Sequence, residues 1–538
     1  MYLNFSKISF QFVVFTILLA AVNPLSAQWK EEHPMGRKVS EVFRHIDKMY
    51  VDSVDYEGIS DAAIVAMLEE LDPHSTYIPA DEVKSANERI DGSFVGVGIR
   101  FQILKDTLVV ISCVPTGPAE KVGVMAGDKI IKVGEENIAG VGLKNSDVRK
   151  KLLGEMGTRV TITVERKRTE KPIDFAITRD KIPVHSVISS YMVDDKVGYI
   201  KLTNFSRTTA EEVKEAIVQL KKEGMKDLIF DLQGNTGGLL FAAKYVCEEF
   251  LGNDKLIVYS EGRSQPRAEL KADGNGNFEK GRLVVLIDEG SASASEIVAG
   301  AIQDWDRGLV VGRRSFGKGL VQRPINLSDG SQIRLTIARY FTPSGRFIQK
   351  PYDDLDSYRK DYYERYKGGE LTHKDSVKIN EDLKFETKLK KRTVYGGGGI
   401  MPDEFVPLDT SEYSDYYRKL SRSGLINSYA VNYVNDNRES LKEKYKTLEA
   451  FKNTFYPDDV FMETFFEYVV KEDSAMQVVE EDYEISKSIL QVRIKALIAQ
   501  NIWDYSAYFQ IINPKNEIFQ TGYELLKSND YKKHNLKM

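Results

Sequence analysis

Five consecutive aliphatic residues, Leu283 to Ile287, run directly into a turn made of small residues. An apolar, β-branched run of this length is typical of a buried parallel strand. The turn spans Asp288 to Ser295, and apolar residues then recur at Ile297 and Ala301 with the spacing of one helix face. The pattern therefore predicts a strand, a tight turn and a helix, which is the repeating unit of an α/β sheet.

Three serines of this turn, Ser291, Ser293 and Ser295, lie where backbone N–H groups and a helix N-terminus converge. Such a position stabilises negative charge on an oxygen atom, as acyl transfer requires. Lys318 follows in a glycine-flanked turn, after the apolar run Leu309 to Gly312. Hydroxyl and amine together supply a nucleophile and a base without histidine, and the residues alone leave the choice of serine open. The alternative is a small-residue turn in which Ser295 caps the helix.

A lysine acts as a base only when its amine is neutral. An exposed lysine has a pKa of about 10.4, so a base near neutral pH needs a shift of roughly 3 units, or ~4 kcal/mol. Burial in apolar surroundings provides shifts of this size. Phe316, Leu320 and Val321 flank Lys318, so we expect its side chain to be buried.

The same lysine ends a segment that matches most of a phosphate-binding loop. Gly312 to Lys318 fits the first seven positions, but Gly319 stands where Ser or Thr would hold Mg²⁺. The residues that follow, Leu320 to Pro324, do not begin a helix. Nucleotide binding is therefore disfavoured.

The serine run and the lysine loop together resemble the C-terminal processing peptidases, also called tail-specific proteases. Their pattern is Ser-Ala-Ser-Ala-Ser-Glu followed by Phe-Gly-Lys-Gly-x-Val-Gln, and both halves stand here without a gap, at 291–296 and 316–322. The resemblance implies a serine endopeptidase in which Ser293 is the nucleophile, Lys318 is the general base and Gln322 orients the lysine. It implies no cofactor, and the scattered histidines indicate no metal site.

The resemblance also assigns an oxyanion hole. Residues 231–238 are similar to the family loop Asp-Leu-Arg-x-Asn-Pro-Gly-Gly, with Gln233 in place of arginine and Thr236 in place of proline. The two N–H donors implied by the family are those of Gly238 and Ala294. Both are backbone groups, so the two substitutions need not abolish the site.

Other family segments extend the resemblance over roughly residues 36–408. They are Leu71 to Ile78, Tyr340 to Arg346 and Gly396 to Asp403. His74, in the first of these segments, is interpreted as structural rather than catalytic.

From Ser93 to about Arg179 the sequence resembles a PDZ domain. Expected strands lie at 95–103, 107–114, 129–133, 158–166 and 173–178, with a helix at 146–153. The residues that resemble the carboxylate-binding loop are Gly96, Val97, Gly98 and Ile99, and residues 118–128 resemble the next family segment. PDZ domains capture a C-terminal carboxylate through main-chain groups and add the peptide as an extra strand.

The amino terminus carries Lys7, an apolar run from Phe12 to Val22 and small residues before Gln28. The run is too short to span a membrane and is typical of a secretory signal peptide, with cleavage after Ala27. An uncleaved membrane anchor is the alternative. We therefore expect an exported protein, periplasmic or secreted. The formal net charge of −5 over 538 residues does not indicate nucleic-acid binding.

These observations predict a multidomain α/β protein with a crotonase-like protease core, an inserted β-rich PDZ domain and helical segments at both ends. The expected parts are a signal peptide at 1–27, a helical segment at 28–92, the PDZ domain at 93–179, the peptidase core at 180–408 and a helical extension at 409–538. Charged, tyrosine-rich residues at 352–391 predict a mobile helical insertion in the core. Cys113 and Cys247 are interpreted as buried free thiols.

The predicted function is cleavage of protein substrates that present apolar C-terminal tails. The extension is predicted to be an additional helical domain covering the core, or a docking surface for an adaptor or a second copy of the chain. The alternative function is a catalytically silent PDZ scaffold that tethers envelope proteins.

Overall fold

The computed structural model describes residues 34–166, 169–533 and 536. The predicted signal peptide, residues 1–27, lies outside the described residues. The described chain begins with two helices, α1 (Pro34–Met49) and α2 (Tyr56–Glu69). The described residues up to Met67 belong to one compact unit, and a second unit begins at Leu68.

A β-rich module follows early in the second unit. The elements in this part of the chain are β1 (Thr76–Ile78), α3 (Ala80–Asp91), β2 (Ser93–Gly96), β3 (Ile99–Leu104), β4 (Thr107–Cys113), α4 (Pro118–Lys121), β5 (Lys129–Val133), β6 (Glu136–Asn137), α5 (Asn145–Leu152), β7 (Arg159–Glu165), β8 (Ile173–Thr178) and β9 (Asp180–Pro183). The main sheet of the module has the order β3-β4-β5-β7-β8. Leu108, Ile130 and Ile162 lie in its core.

The predicted strand at 95–103 is two strands in different sheets. β2 pairs with β9, whereas β3 pairs with β4. Gly98 between them has φ of 77°, a left-handed conformation that glycine adopts without strain. The turn is hidden in the sequence because apolar residues continue on both sides of it. The other four predicted strands and the helix are found within one residue of their expected bounds.

The next part of the chain builds an α/β sheet. Its elements are β10 (Val187–Met192), β11 (Val197–Leu202), α6 (Thr209–Lys222), β12 (Asp227–Asp231), α7 (Leu240–Glu248), β13 (Leu256–Gly262), β14 (Gln265–Lys271), β15 (Leu283–Ile287), α8 (Ala294–Asp304), β16 (Leu309–Gly312), β17 (Leu320–Asn326), β18 (Gln332–Phe341), α9 (Leu355–Lys367), β19 (Lys384–Glu386), β20 (Thr393–Tyr395) and β21 (Glu404–Phe405). The main sheet has the order β10-β11-β12-β15-β16-β21. All its strands after β10 run parallel, and β11, β12, β15 and β16 are buried throughout. The predicted strand, turn and helix around the serines are confirmed as β15 and α8.

A second sheet has the order β1-β18-β13-β14, with β17 paired to β18. β17 begins two residues after Lys318, so the segment after the lysine is a strand, as its sequence indicates. β1 pairs antiparallel with β18, where Tyr77 lies opposite Ile333. This pairing brings residues from the N-terminal side of the β-rich module to the strands that follow the lysine loop.

The insertion at 352–391 forms an α-helix only in α9, so the prediction that it is helical is wrong for most of it. The remainder contains two short 3₁₀ turns and β19, which pairs with β20 just after the insertion. Arg365 and Glu370 are buried, and the Glu370 carboxylate accepts from the guanidinium groups of Arg314 and Arg365, each over 2.7 Å. Charged side chains that composition places in solvent are therefore paired inside the protein.

The C-terminal extension is helical, as predicted. Its helices are α10 (Asp415–Ser423), α11 (Leu425–Lys444), α12 (Leu448–Thr454), α13 (Asp459–Glu472), α14 (Glu480–Ile502), α15 (Tyr505–Ile512), α16 (Glu517–Lys527) and α17 (Asp530–Lys533). α10 to α15 enclose a separate apolar core that includes Phe451 and Phe465. No helix in the described part of the chain combines the length and apolar character needed to cross a bilayer.

α16 packs on the main sheet, on the face opposite α7 and α8. Ile518 and Phe519 of α16 join Val284 and Leu286 of β15 in one buried cluster. A Cβ atom at Gly522 would lie 2.9 Å from Leu286 Cδ2, so the helix approaches the strand too closely for a side chain at this position. Part of the extension thus forms the second layer of the sheet.

Both cysteines are free thiols, as predicted. Cys247 is completely buried and Cys113 is half-buried. Burial raises the pKa of Cys113 to about 11, which leaves it protonated and unreactive near neutral pH.

Candidate active site

The turn between β15 and α8 singles out one of its three serines. Ser291 Oγ donates to the Leu232 carbonyl and Ser295 Oγ donates to the Asn235 carbonyl, each over 2.8 Å. Both of these serines are completely buried, whereas Ser293 is half-buried and is the N-cap of α8. The φ of 55° at Ser293 is a conformation that costs a non-glycine residue roughly 1–3 kcal/mol and is concentrated at functional sites.

A completely buried carboxylate, Glu296, joins the serine turn to the lysine loop. Its Oε2 atom accepts the backbone N–H of Ser293 over 2.7 Å and that of Lys318 over 2.9 Å. Its Oε1 atom accepts the Gly317 N–H over 2.7 Å and the Ser315 hydroxyl over 2.6 Å. Burial raises the Glu296 pKa, and the four donors act in the opposite direction. The backbones of Ser293 and Lys318 therefore meet on a single oxygen atom.

Tyr340 forms a second connection between the same two backbones. Its hydroxyl lies 3.1 Å from the Ser293 carbonyl oxygen and within hydrogen-bond distance of the Lys318 carbonyl oxygen. The Tyr340 side chain is buried at the edge of the main core. Two buried side chains thus fix the spacing between the serine turn and the lysine loop.

Lys318 lies in a hydrogen-bonded series that ends on a backbone carbonyl. Its Nζ atom donates to Gln322 Oε1 over 3.0 Å, and Gln322 Nε2 donates to the His74 carbonyl. Because a carbonyl oxygen only accepts, the glutamine NH₂ group must face His74 and its oxygen must face the lysine. Burial lowers the Lys318 pKa, while the charges of Asp72 and Glu296 oppose this shift. Lys318 is half-buried, so the expected burial of its side chain is met in part.

The loop that supplies the His74 carbonyl is held by Asp72, a residue that the sequence did not single out. The Asp72 carboxylate accepts the N–H of His74 over 2.8 Å, the N–H of Ser75 over 2.9 Å and the Thr336 hydroxyl over 3.1 Å. Thr336 belongs to β18, so Asp72 attaches the loop to the second sheet. The family segment Leu71 to Ile78 is the sequence signal that points to this loop. It does not indicate that the His74 carbonyl oxygen lies in the site.

The His74 imidazole points to α9. It takes no part in the hydrogen bonds that link Lys318 to Gln322 and Gln322 to the His74 carbonyl. Its Nε2 atom lies 2.7 Å from the Tyr358 hydroxyl oxygen. Burial, followed by the nearby charge of Lys318, lowers the His74 pKa to about 4, so the ring is neutral near neutral pH. Across the described part of the chain, no group of three or more His, Cys, Asp or Glu side chains is arranged to hold a metal ion.

The glycine loop after β12 lies directly against the serine turn. A Cβ atom at Gly237 would lie 2.8 Å from Ser293 Cβ and 2.9 Å from the Ala294 nitrogen, and the φ of Gly237 is 97°. At Gly238 a Cβ atom would lie 2.1 Å from the Phe205 carbonyl oxygen. No side chain fits at either glycine, and Gly237, the neighbour of the predicted oxyanion donor Gly238, lies against Ala294, the other predicted donor.

Gln233 and Thr236, the two residues that differ from the family loop, have different surroundings. Gln233 Oε1 accepts from Asn516 Nδ2, at the start of α16, over 3.2 Å. The Gln233 carbonyl accepts from Lys201 Nζ over 2.6 Å. Thr236 is exposed, and nothing in the structure explains its substitution for proline. Of these two residues, the extension therefore contacts Gln233 only.

The predicted carboxylate-binding loop lies between β2 and β3. The Val97 carbonyl accepts the Ala119 N–H over 2.9 Å, and the Gly98 carbonyl accepts the Val114 N–H over 2.8 Å. Val97 is buried in the core of the module, and Ile99 packs against that core. In the described chain β3 pairs with β4 on one side and with no strand on the other. An edge strand with a glycine-containing loop at its start is thus available to a peptide.

Comparisons with known proteins define the class. The model of peptidase family S41 matches residues 196–355, and the PDZ domain model matches residues 95–177. A carboxy-terminal-processing protease of Bartonella bacilliformis is 36% identical over 383 residues, which are 70% of this chain and 85% of that protein. The carboxy-terminal processing protease CtpB of Bacillus subtilis is 31% identical over 439 residues, 79% of this chain and 90% of its own.

The chain is a serine peptidase of family S41 with a PDZ domain. Within that family it belongs with the C-terminal processing proteases, and the predicted resemblance is confirmed. Among solved structures, the photosystem II D1 C-terminal processing protease is 31% identical, covering 58% of this chain and 83% of that one at a TM-score of 0.34. In the extension, residues 416–504 match the model of a family of unknown function, DUF8443.

Replacing Glu296 with Gln is expected to destabilise the protein by about 3 kcal/mol, because the amide NH₂ group would face two of the four donors. Thermal and denaturant unfolding measure this difference. Glu215→Gln, the same exchange at an exposed position of α6, is the matched control and should change stability by less than about 0.5 kcal/mol. Equal stability of the two variants would contradict the role given to Glu296.

Proposed function

We propose that this chain is an exported endopeptidase that captures proteins by their C-terminal tails and cleaves them with Ser293, Lys318 and Gln322. The observation that carries the proposal is the shared oxygen of Glu296, which holds the backbones of Ser293 and Lys318 together. A strained serine beside a desolvated lysine is the arrangement that nucleophilic catalysis needs and that a purely structural turn does not.

In this mechanism Lys318 is the general base. Burial favours its neutral amine, which takes the proton from Ser293 Oγ as that oxygen attacks the scissile carbonyl carbon. The ammonium then returns the proton to the leaving amine as the peptide bond breaks, which leaves an acyl–serine ester. The same amine then takes a proton from a water molecule whose oxygen attacks the ester carbonyl carbon, and it returns that proton to Ser293 Oγ as the acid product leaves. Gln322 Oε1 accepts one amine N–H and so fixes the orientation of the remaining lone pair.

The negative charge that develops on the scissile carbonyl oxygen is stabilised by the backbone N–H groups of Gly238 and Ala294. Ala294 is the first residue of α8, so its N–H lies at the positive end of the helix. Donors that are fixed before the reaction require no reorganisation during it, and each contributes roughly 10²–10³-fold to the rate. The close approach of Gly237 to Ala294 supports this placement of the loop.

The PDZ domain selects the substrate. Its loop Gly96 to Ile99 receives the terminal carboxylate, and the tail adds to the open edge of β3 as an antiparallel strand. Main-chain hydrogen bonds of this kind require an unfolded tail, so the enzyme acts on proteins whose C-terminus is disordered. The partner is therefore a polypeptide chain with an apolar end.

Export follows from the amino terminus, where an apolar run from Phe12 to Val22 precedes Ala27. The mature protein is expected to begin at Gln28 and to reside in the periplasm or the medium. Sequencing the amino terminus of the protein after cell fractionation measures this. A cell-bound form that retains residues 1–27 would instead support the uncleaved anchor.

Ser293→Ala is expected to lower kcat for a protein with an apolar tail by about 10⁴-fold or more, because the nucleophile is lost. KM and the unfolding temperature should change little. Ser291→Ala is the matched control, since its buried hydroxyl is occupied by the Leu232 carbonyl and by the N–H and carboxylate of Asp288. Cleavage by the Ser293 variant at the wild-type rate would remove the nucleophile assignment. A wild-type protein that cleaves no such substrate would favour the silent scaffold.

The pH dependence of kcat/KM should report the protonation of Lys318. The ammonium form is inactive, so the rate rises with pH through a lysine pKa that burial places below the ordinary 10.5. Gln322→Glu puts a negative charge beside the amine, favours the ammonium and should move this acidic limb to higher pH by about 1 unit.

Arg323→Gln is the control for that shift. It changes the net charge of the protein by the same amount at the next residue of β17, where the side chain is exposed. The acidic limb of the kcat/KM profile of Arg323→Gln should stay within about 0.3 pH units of the wild-type limb, because exposed charges are screened. Equal shifts in the two variants would mean that the limb does not arise from the amine that Gln322 contacts.

A further inference from the structure

Helices of the extension contact strand β3 of the PDZ domain. Gln102 Nε2 donates to Ser428 Oγ over 2.7 Å, and Asn427 Nδ2 donates to Gln102 Oε1 over 3.3 Å. The Arg100 guanidinium donates to the Tyr505 hydroxyl over 3.3 Å, and its central carbon lies 4.8 Å from the ring centroid. The contacts come from α11 and α15, whose residues are far from β3 in sequence.

The side chains involved form one row on the outer side of β3. Ile99, Phe101 and Ile103 pack against the core of the domain. Side chains alternate along a strand, so Arg100 and Gln102 point to the opposite side. A tail added to the free edge of β3 alternates in the same way, and every second tail residue then points to the side of this outer row.

We propose that the extension forms the outer wall of the tail-binding site, so that tail residues facing away from the PDZ core are selected by Arg100, Gln102 and Tyr505. The inference rests on the proposed capture of tails by β3. With the terminal carboxylate at the Gly96–Ile99 loop, the residue next to the last lies beside Arg100. The residue two positions further from the end lies beside Gln102 and the amide of Asn427.

Charge determines which tails this wall favours. Arg100 is exposed and has no carboxylate partner within the described chain; it contacts the Tyr505 ring and hydroxyl. An aspartate or glutamate next to the last tail residue would pair with this guanidinium, whereas a lysine would be repelled. The substrate class is therefore a disordered protein end with an apolar last residue and an acidic residue before it.

A further contact between the PDZ domain and the extension lies beyond the end of β3. Lys105, just after β3, pairs with Glu472 of α13 over 3.0 Å, and Lys105 is largely exposed. The terminal residues of a bound tail lie at the opposite end of the strand, near Ile99. Breaking this pair should therefore leave the preference for the residue next to the last unchanged.

Fluorescence anisotropy with the full-length Ser293→Ala protein tests the inference, because bound tails are then not cleaved. The probes are labelled six-residue peptides with the same apolar last residue and Asp, Asn or Lys before it. We expect the Asp peptide to bind about fivefold more tightly than the Lys peptide. Tyr505→Glu places a carboxylate of the extension beside Arg100 and should remove or reverse this preference, while the Asn peptide changes by less than about twofold.

Two controls are matched to that variant. Tyr456→Glu makes the same exchange at another exposed tyrosine of the extension, and Glu472→Gln breaks the contact with Lys105. Both should keep the preference for Asp. If Tyr505→Glu leaves the preference for the Asp peptide unchanged, the proposal that the extension forms a wall of the tail-binding site is overturned. The proposed capture of tails by β3 would still stand. If no peptide binds, or if amidated peptides bind as well as free ones, carboxylate capture itself fails and the wall fails with it.

Discussion

The buried carboxylate of Glu296 joins the two loops that carry the proposed nucleophile and base. Glu296 accepts four hydrogen bonds, and the two on its Oε2 atom come from the backbones of Ser293 and Lys318. Those residues belong to different loops, after β15 and after β16, and their shared acceptor and the Tyr340 hydroxyl hold the loops together. A carboxylate is suited to this position because it accepts at every lone pair and donates nowhere. The strain at Ser293 is tolerated because the surrounding contacts leave the backbone no other conformation.

The residues proposed to perform chemistry could be named from the sequence with the family resemblance, and the residues that position them could not. Ser293, Lys318 and Gln322 lie in two short motifs, and the fold of each motif follows from local apolar patterns. The His74 carbonyl, in contrast, reaches Gln322 from 248 positions away. A main-chain acceptor carries no side-chain signature, so nothing in the residue type His marks its role. The folding of Leu71 to Ile78 onto β18 was needed to find it.

Charge composition misled the interpretation of the insertion for a physical reason. Segments rich in Lys, Glu and Asp are usually solvated, but Arg365 and Glu370 are buried with Arg314, and each charge has a partner there. Arg365 also donates to the carbonyl of Arg314 over 2.7 Å, in the loop that leads to Lys318. Pairing of this kind depends on contacts across about fifty residues and leaves no local pattern.

Gln233 stands where the family loop has arginine, and its surroundings, which include the extension, account for this difference. Lys201 already supplies a buried cation to this loop, donating to Asp231 Oδ1 over 2.9 Å and to the Gln233 carbonyl. An arginine at 233 would add a second cation in the same poorly solvated region, which like-charge repulsion disfavours. A neutral glutamine avoids this and accepts from Asn516. The residue that departs from the family loop is thus the residue that the extension contacts.

The S41 model matches residues 196–355, but segments outside this range also contact the site. The loop at His74 orients Gln322, α9 contacts the lysine loop and the His74 ring, and Asn516 contacts the oxyanion loop. A lysine is a base near neutral pH only while it is kept from water, and exclusion of water is a property of packed neighbours rather than of a motif. Glu296 holds the backbone of Lys318 next to that of Ser293, but the burial that lowers the Lys318 pKa depends on segments that are distant in sequence. The Lys318 pKa is therefore set by the assembled chain, and a movement that separates these segments would readmit water and raise this pKa toward its ordinary value.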